Sequence, residues 1–433
     1  MAVEETDVRD DRVMSELPNI QTAAGRDWYL KTYRATLLED VIPFWIRHGL
    51  DGECGGIFTA LDQDGSLLDT DKSVWFQGRA GWMFSTLCNT VERRDEWLAA
   101  ARSCWEFSRR HCHSPEGKMY FTVTREGGPL RMRRYVFSEA FAAISYAAYA
   151  RAAGDERSAS DAAKAFETYL HHSFTPGVMP AKSDQETRPQ QGIGSHMIGI
   201  VTAQELRENL GDIRVLGRTC TEWIDASIAV IERDFLKPEH AALLETCGPQ
   251  GEVLDHLEGR TLNPGHAIEC AWFILREGDL RGDRRLIALG AQILDWMWKR
   301  GWDPEHGGLL YFTDLLGKPP QEYWHDMKFW WPHCEAIIAT LLAWRLTGDP
   351  KYAAMHAQIH AWSFSHFPDP QHGEWFGWLH RDGSLSQRAK GNMFKGPFHL
   401  PRMLWFCAQE LSKPGPSEIA TEPAAPSRSV SSD

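Results

Sequence analysis

Positive charge is scarce in this 433-residue chain, where 46 lysines and arginines face 59 aspartates and glutamates for a formal net charge of −13. No basic field exists to gather nucleic acid or an anionic membrane surface, so neither is expected as a partner. Long apolar runs are also missing, and nothing approaches the ~18 residues needed to span a bilayer. The opening MAVEETDVRDDRVMSELPNIQ has neither the basic nor the apolar region of a secretory signal, which makes a cytoplasmic location the expectation. The nine cysteines form no CxxC pair and several lie in apolar helical runs, so reduced, buried thiols are expected. The chain lacks HExxH, a two-histidine-one-carboxylate cluster within one element, a Walker P-loop and a strand-linked GxGxxG. The expectation is therefore no metal and no required cofactor, with the chemistry left to side chains.

What is present is an ordinary globular composition, 43% hydrophobic and 24% charged, able to bury a large core. Nineteen tryptophans and 18 histidines are high counts for this length. The tryptophans either fill gaps between helices or offer flat surfaces on which sugar rings stack.

Residues 75–112 carry two helical patterns broken near Arg93–Asp95, and 137–172 repeat the arrangement around Gly154–Asp155. Further pairs fall near 192–235, 265–300 and 330–366, a leading helix near 27–48 and a final one near 396–411. Gly-rich, strand-like hairpins such as DGECGGIFTALDQDGS and DPQHGEWFGWLHRDGS separate the pairs. One polar residue near each of six helix starts (Arg79, Glu139, His196, His266, His333, His399) recurs at intervals of 60, 57, 70, 67 and 66 residues. Such a period marks a repeated unit that buries its face against its neighbours. The first and last helices lack partners unless the ring closes, so an all-α (α/α)6 barrel is predicted, six hairpins in a double-layered ring with short β-hairpin loops at one mouth. The six side chains would then converge on one pocket. The barrel should occupy 21–411, with a flexible segment at 1–20 and a Pro/Ser-rich, disordered tail at 412–433.

In LNPGHAIECAWFIL, Pro264 precedes a helix that carries His266 and Glu269 on one face, an imidazole and a carboxylate suited to proton transfer near neutral pH. In MFKGPFHLPRMLWF, prolines on both sides hold His399 stiffly at a helix start. KSVWFQGRAGWM offers Trp75 for stacking and Arg79 for holding an anionic oxygen. His196 is a third histidine for the pocket. KFWWPHCEAI adds Trp331, His333 and Glu335, and YWHD adds His325 and Asp326, each open to a lining or a structural role.

KSVWFQGRAGWM, NPGHAIECAWFIL, KFWWPHCEAI and KGPFHLPRM, in that order, resemble the signature segments of the N-acylglucosamine 2-epimerase family over about residues 30–411. Pro397 departs from the pattern, standing where a small residue such as Cys is expected. The resemblance implies an (α/α)6 barrel, often dimeric, that interconverts N-acylglucosamine and N-acylmannosamine. It makes His266 and His399 the acid-base pair and places Arg79 near O1 and O2 of the sugar. It also sets Trp75, His196 and Glu269 in the pocket, where Trp331 and His333 join them as substrate-binding candidates. Some relatives respond to ATP without consuming it, so ATP enters as a candidate allosteric effector. Proton return to C1 instead of C2 would make an aldose-ketose isomerase, and cellobiose or mannose 2-epimerisation would use the same pocket. A glycoside hydrolase working through two of Glu139, Glu269, Asp326 and Glu335 and a non-catalytic sugar-binding protein are the rivals from other classes.

Overall fold

Gly-Asp pairs punctuate the chain and create its hairpins. Gly154, Gly282 and Gly348 close helices with φ of 67°, 64° and 70°, a conformation that costs glycine little. The next residues, Asp155, Asp283 and Asp349, accept amide hydrogen bonds from the first turn of the following helix. Inner helix, sharp turn and outer helix thus follow from two residues. The structure, a computed structural model, describes residues 17–133 and 135–416. The flexible start and tail expected from the sequence lie outside the described residues over 1–16 and 417–433.

Twelve long helices are described. The first, α1, joins Ala23–Ala35, a π-helical stretch Thr36–Val41 and Ile42–His48. It is followed by α2 (Val74–Thr90), α3 (Asp95–His111), α4 (Phe137–Ala153), α5 (Glu156–Phe174) and α6 (Gly194–Leu210). Then come α7 (Cys220–Val230, extended by Ile231–Phe235), α8 (Pro264–Arg281), α9 (Arg284–Gly301), α10 (Trp330–Thr347), α11 (Pro350–His366) and α12 (His399–Leu411). The even-numbered helices form the inner ring; in α10 every residue from Trp330 to Arg345 is buried. The odd-numbered ones form the outer ring. This is the (α/α)6 barrel predicted from the sequence.

Closure of the ring is visible in named contacts. On the inner side Trp405 Nε1 of α12 donates to Thr90 Oγ1 of α2 (2.8 Å), and Trp405 stands edge-on to Trp82. On the outer side the Tyr33 hydroxyl of α1 bridges His356 Nε2 and His360 Nδ1 of α11, 3.0 Å from each.

At the mouth, the strand before an inner helix pairs antiparallel with the hairpin of the next unit. Lys72 opposes Val123, Thr261 opposes Asp314, and Lys328 opposes Leu379. Leu61 bridges to Gly391, linking the first hairpin to the segment before the last inner helix. Buried ion pairs recur with the same geometry: Lys72–Asp51 (2.9 Å), Lys328–Asp303 (2.9 Å) and Lys390–Asp369 (3.0 Å). Each aspartate is also held from the next unit, by Arg125, Arg381 and Gln63 respectively.

The His356–Tyr33–His360 bridge has a consequence for stability. Burial lowers His356 from 6.5 to about 4, and burial together with His356 takes His360 further down. The unfolded chain takes up protons near 6.5 that these folded rings refuse, so their contribution is complete above that pH and is lost as the pH falls towards 4. By calorimetry, Tm should fall between pH 6.5 and 4.5, and fall less steeply in His356→Gln.

Candidate active site

The inner ring encloses a cavity of about 1560 Å³. Trp75, Arg79, Glu269, His266, Trp331 and His399 all line it, as the sequence predicted.

Both histidines stand at helix starts. Asn263 caps α8 by accepting the His266 amide hydrogen (3.1 Å), which fixes the backbone carrying that ring. Gly265 lets the Trp331 indole lie against the helix start, since a Cβ there would meet the indole at 2.7 Å. The His266 ring packs on Trp331 at 5.0 Å between centroids, and the His399 ring lies 5.8 Å from the same indole. Two imidazoles from α8 and α12 thus share one aromatic wall supplied by α10.

Their partners differ. Nδ1 of His266 lies 3.1 Å from both carboxylate oxygens of Glu245. Nδ1 of His399 lies 2.7 Å from Glu335 Oε1 and 3.3 Å from an Arg402 nitrogen; a hydrogen on Nδ1 turned to the carboxylate leaves Nε2 bare. Arg402 donates from one nitrogen to that same Oε1 and to Glu269 Oε1, 2.6 Å each, while Trp272 Nε1 holds Glu335 Oε2 (2.7 Å). Burial, then the positive charges of Arg402 and Arg79, hold His399 well below the usual histidine value. Burial pushes His266 the same way, but Glu245, Glu269 and Glu335 outweigh it and raise that ring above 6.5. The surroundings thus poise the two rings oppositely, favouring the neutral form of His399 and the charged form of His266.

Arg79 lies among the rings of Trp75 (5.1 Å), Phe141 (4.3 Å) and Phe398 (5.0 Å) and donates to the Phe394 carbonyl (3.1 Å). Its Nε has no acceptor among the described residues. Burial and the neighbouring Arg402 lower its guanidinium to about 9, so it stays charged at neutral pH.

Three residues expected at the pocket, Glu139, His196 and His333, are elsewhere. His333 is fully buried beneath the mouth, accepting the Leu309 amide at Nε2 (3.0 Å) and stacked on Trp362 at 4.7 Å. Gln77 and Glu139 do the same job in their units, accepting the amides of Ile57 (2.9 Å) and Met119 (2.7 Å). These side chains latch hairpins to inner helices and do not face a ligand. His196 turns outward, its ring 5.1 Å from Phe174 and 6.4 Å from Phe235. Glu245, Asn263 and Arg402 were not singled out from the sequence. Arg402 was within reach of it, three residues after His399 and so on the same helical face, the relation that drew attention to His266 and Glu269.

A family model described as N-acylglucosamine 2-epimerase (GlcNAc 2-epimerase) matches residues 56–395. The chain belongs to the N-acylglucosamine 2-epimerase family. It is 36% identical over 383 residues to a Bos taurus N-acylglucosamine 2-epimerase, covering 87% of this chain and 89% of that protein. To the Rattus norvegicus N-acylglucosamine 2-epimerase it is 35% identical over 408 residues, covering 90% and 95%. Among solved structures, a cellobiose 2-epimerase from Bacillus thermoamylovorans superposes with a TM-score of 0.76 at 20% identity, covering 89% of this chain and 99% of that one, a likeness of fold. Within the family the chain is a sugar epimerase or isomerase, and among the described residues no helix is long and apolar enough to cross a membrane.

Arg402 and Arg79 should separate stability from turnover. Arg402→Met strands two buried carboxylates and should cost about 3–5 kcal/mol in urea unfolding. Arg79→Met, removing a guanidinium held by one carbonyl and three rings, should cost far less stability while turnover falls at least ~100-fold.

Proposed function

We propose that this protein interconverts N-acylglucosamine and N-acylmannosamine by exchanging the C2 proton of the ring-opened sugar between two histidines. The observation that carries this reading is the pair of imidazoles on one indole, oppositely poised by their surroundings. The ring must open first, because the C2 hydrogen becomes acidic only beside a free aldehyde. The neutral Nε2 of His399 takes that proton, and electron density moves onto O1, where Arg79 meets the developing charge. His266 returns a different proton to the opposite face of C2. The epimer leaves an enzyme with His399 charged and His266 neutral, and exchange with solvent restores the starting state. Each proton transfer is worth about 10² to 10⁴ in rate.

Hydrolysis fits the site poorly. Glu269 and Glu335 present oxygens within 4.8 Å of each other and share the Arg402 guanidinium, whereas inverting hydrolases set free carboxyls about 6.5–9.5 Å apart. That guanidinium also supplies the cation these carboxylates need, so no metal enters the reading and turnover should survive chelation.

The test is a time course with N-acetylglucosamine, N-acetylmannosamine, free hexoses and cellobiose, products being identified by NMR. N-acetylmannosamine should form from N-acetylglucosamine, and either His266→Asn or His399→Asn should lower kcat at least ~100-fold. A ketose product would assign the aldose-ketose reaction instead, and chain cleavage or binding without turnover would refute epimerisation. The pH profile of kcat/KM should be a bell. Its acid limb, from protonation of depressed His399, lies below 6.5, and its basic limb, from deprotonation of raised His266, lies above 6.5.

A further inference from the structure

Glu245 belongs to none of the segments that carry the chemistry, yet its carboxylate meets the His266 ring. It lies between the short strands Ala242–Leu243 and Thr246–Cys247, the second of which pairs with Gln191–Gly192 just before α6. Its own carbonyl accepts the Ile193 amide (3.1 Å), so its backbone is fixed by the third unit while its side chain serves the fourth.

His266 Nδ1 has two neighbours at 3.1 Å, the Glu245 carboxylate and the side-chain nitrogen of Asn263. They ask for opposite tautomers. An amide NH2 donates only to a bare Nδ1, which puts the ring proton on Nε2, whereas a carboxylate requires the hydrogen on Nδ1. The charge on Glu245 decides the contest, because a hydrogen bond to a carboxylate is the stronger. We infer that Glu245 is a positioning residue that keeps the hydrogen on His266 Nδ1, leaving Nε2 to carry the proton given to and taken from the sugar. This rests on the epimerase reading of His266 above.

The surroundings agree. The charged and titratable groups near His266 are Glu245, Glu269 on its own helix, Glu335 of α10 and His399 of α12, with Lys182 and Tyr311 near the Glu245 carboxylate. Burial raises Glu245, but His266 and Lys182 more than offset this and leave it below the usual carboxylate range. Glu245 is therefore a fixed negative charge at neutral pH.

Two substitutions test this in steps. Glu245→Gln keeps an oxygen that can accept from Nδ1 but removes the charge that favours this tautomer over the one Asn263 supports. The basic limb of kcat/KM should move about one pH unit towards acid, tenfold less activity on that limb, with recovery as the pH is lowered. In Glu245→Leu, Asn263 takes Nδ1, and activity should be low at every pH. The same contrast is read without sugar by 15N NMR of the His266 ring, whose titration should shift to lower pH in Glu245→Gln. An unshifted ring and an unshifted basic limb in Glu245→Gln would overturn the inference. A wild-type protein that turns over no sugar while the ring titration still shifts upholds Glu245 as the partner of His266 and refutes the epimerase reading alone.

Discussion

The site depends on one buried guanidinium. Arg402 of α12 reaches Glu269 of α8 and Glu335 of α10, so a single cation ties three inner helices together where the chemistry takes place. A buried charge costs several kcal/mol in lost hydration and is tolerated only when its partners are close and complete. Here two carboxylates and one guanidinium meet that requirement, and they also set His399. Glu335 orients its Nδ1 but does not charge the ring, because the oxygen that faces it already answers to Arg402. His266, beside Glu245, has the opposite poise. Arginines about one ring and carboxylates about the other thus set two similar residues apart.

That arrangement requires α8, α10 and α12 to hold their positions, and the rim of the barrel provides for it. Each buried Asp–Lys pair ties a hairpin to the residues just before an inner helix, and the arginine or glutamine from the next unit carries the tie onward. The Asp369–Gln63 contact passes from the last unit to the first. Local contacts at the rim therefore help to position the interior, and the cavity is what remains at its centre.

Much of this was legible in the sequence, for physical reasons. Gly-Asp turns and a near-constant interval gave away the hairpins, and prolines beside His266 and His399 marked the two helix starts that matter. The errors share a cause. Counting intervals finds a helix start but not the face a residue occupies, and successive residues on a helix turn by about 100°. His399 is the first residue of α12 and His333 the fourth of α10, so one faces the cavity while the other latches a hairpin as Gln77 does. His196 falls towards Phe174 at the end of α5 and Phe235 at the end of α7, although His266, equally the third residue of its helix, faces the cavity. Glu245 left no pattern at all. It arrives from the link between two short strands, 21 residues before its histidine, a pairing that only the folded chain creates.

The central claim is that two histidines serve opposite faces of C2, and isotope incorporation in deuterated water tests it most directly. A proton taken by one base is not the proton returned by the other, so early in the reaction the epimer formed should carry deuterium at C2 while the remaining starting sugar stays almost unlabelled. Equal early labelling of substrate and product would mean that a single base removes and returns the proton, and would contradict the account.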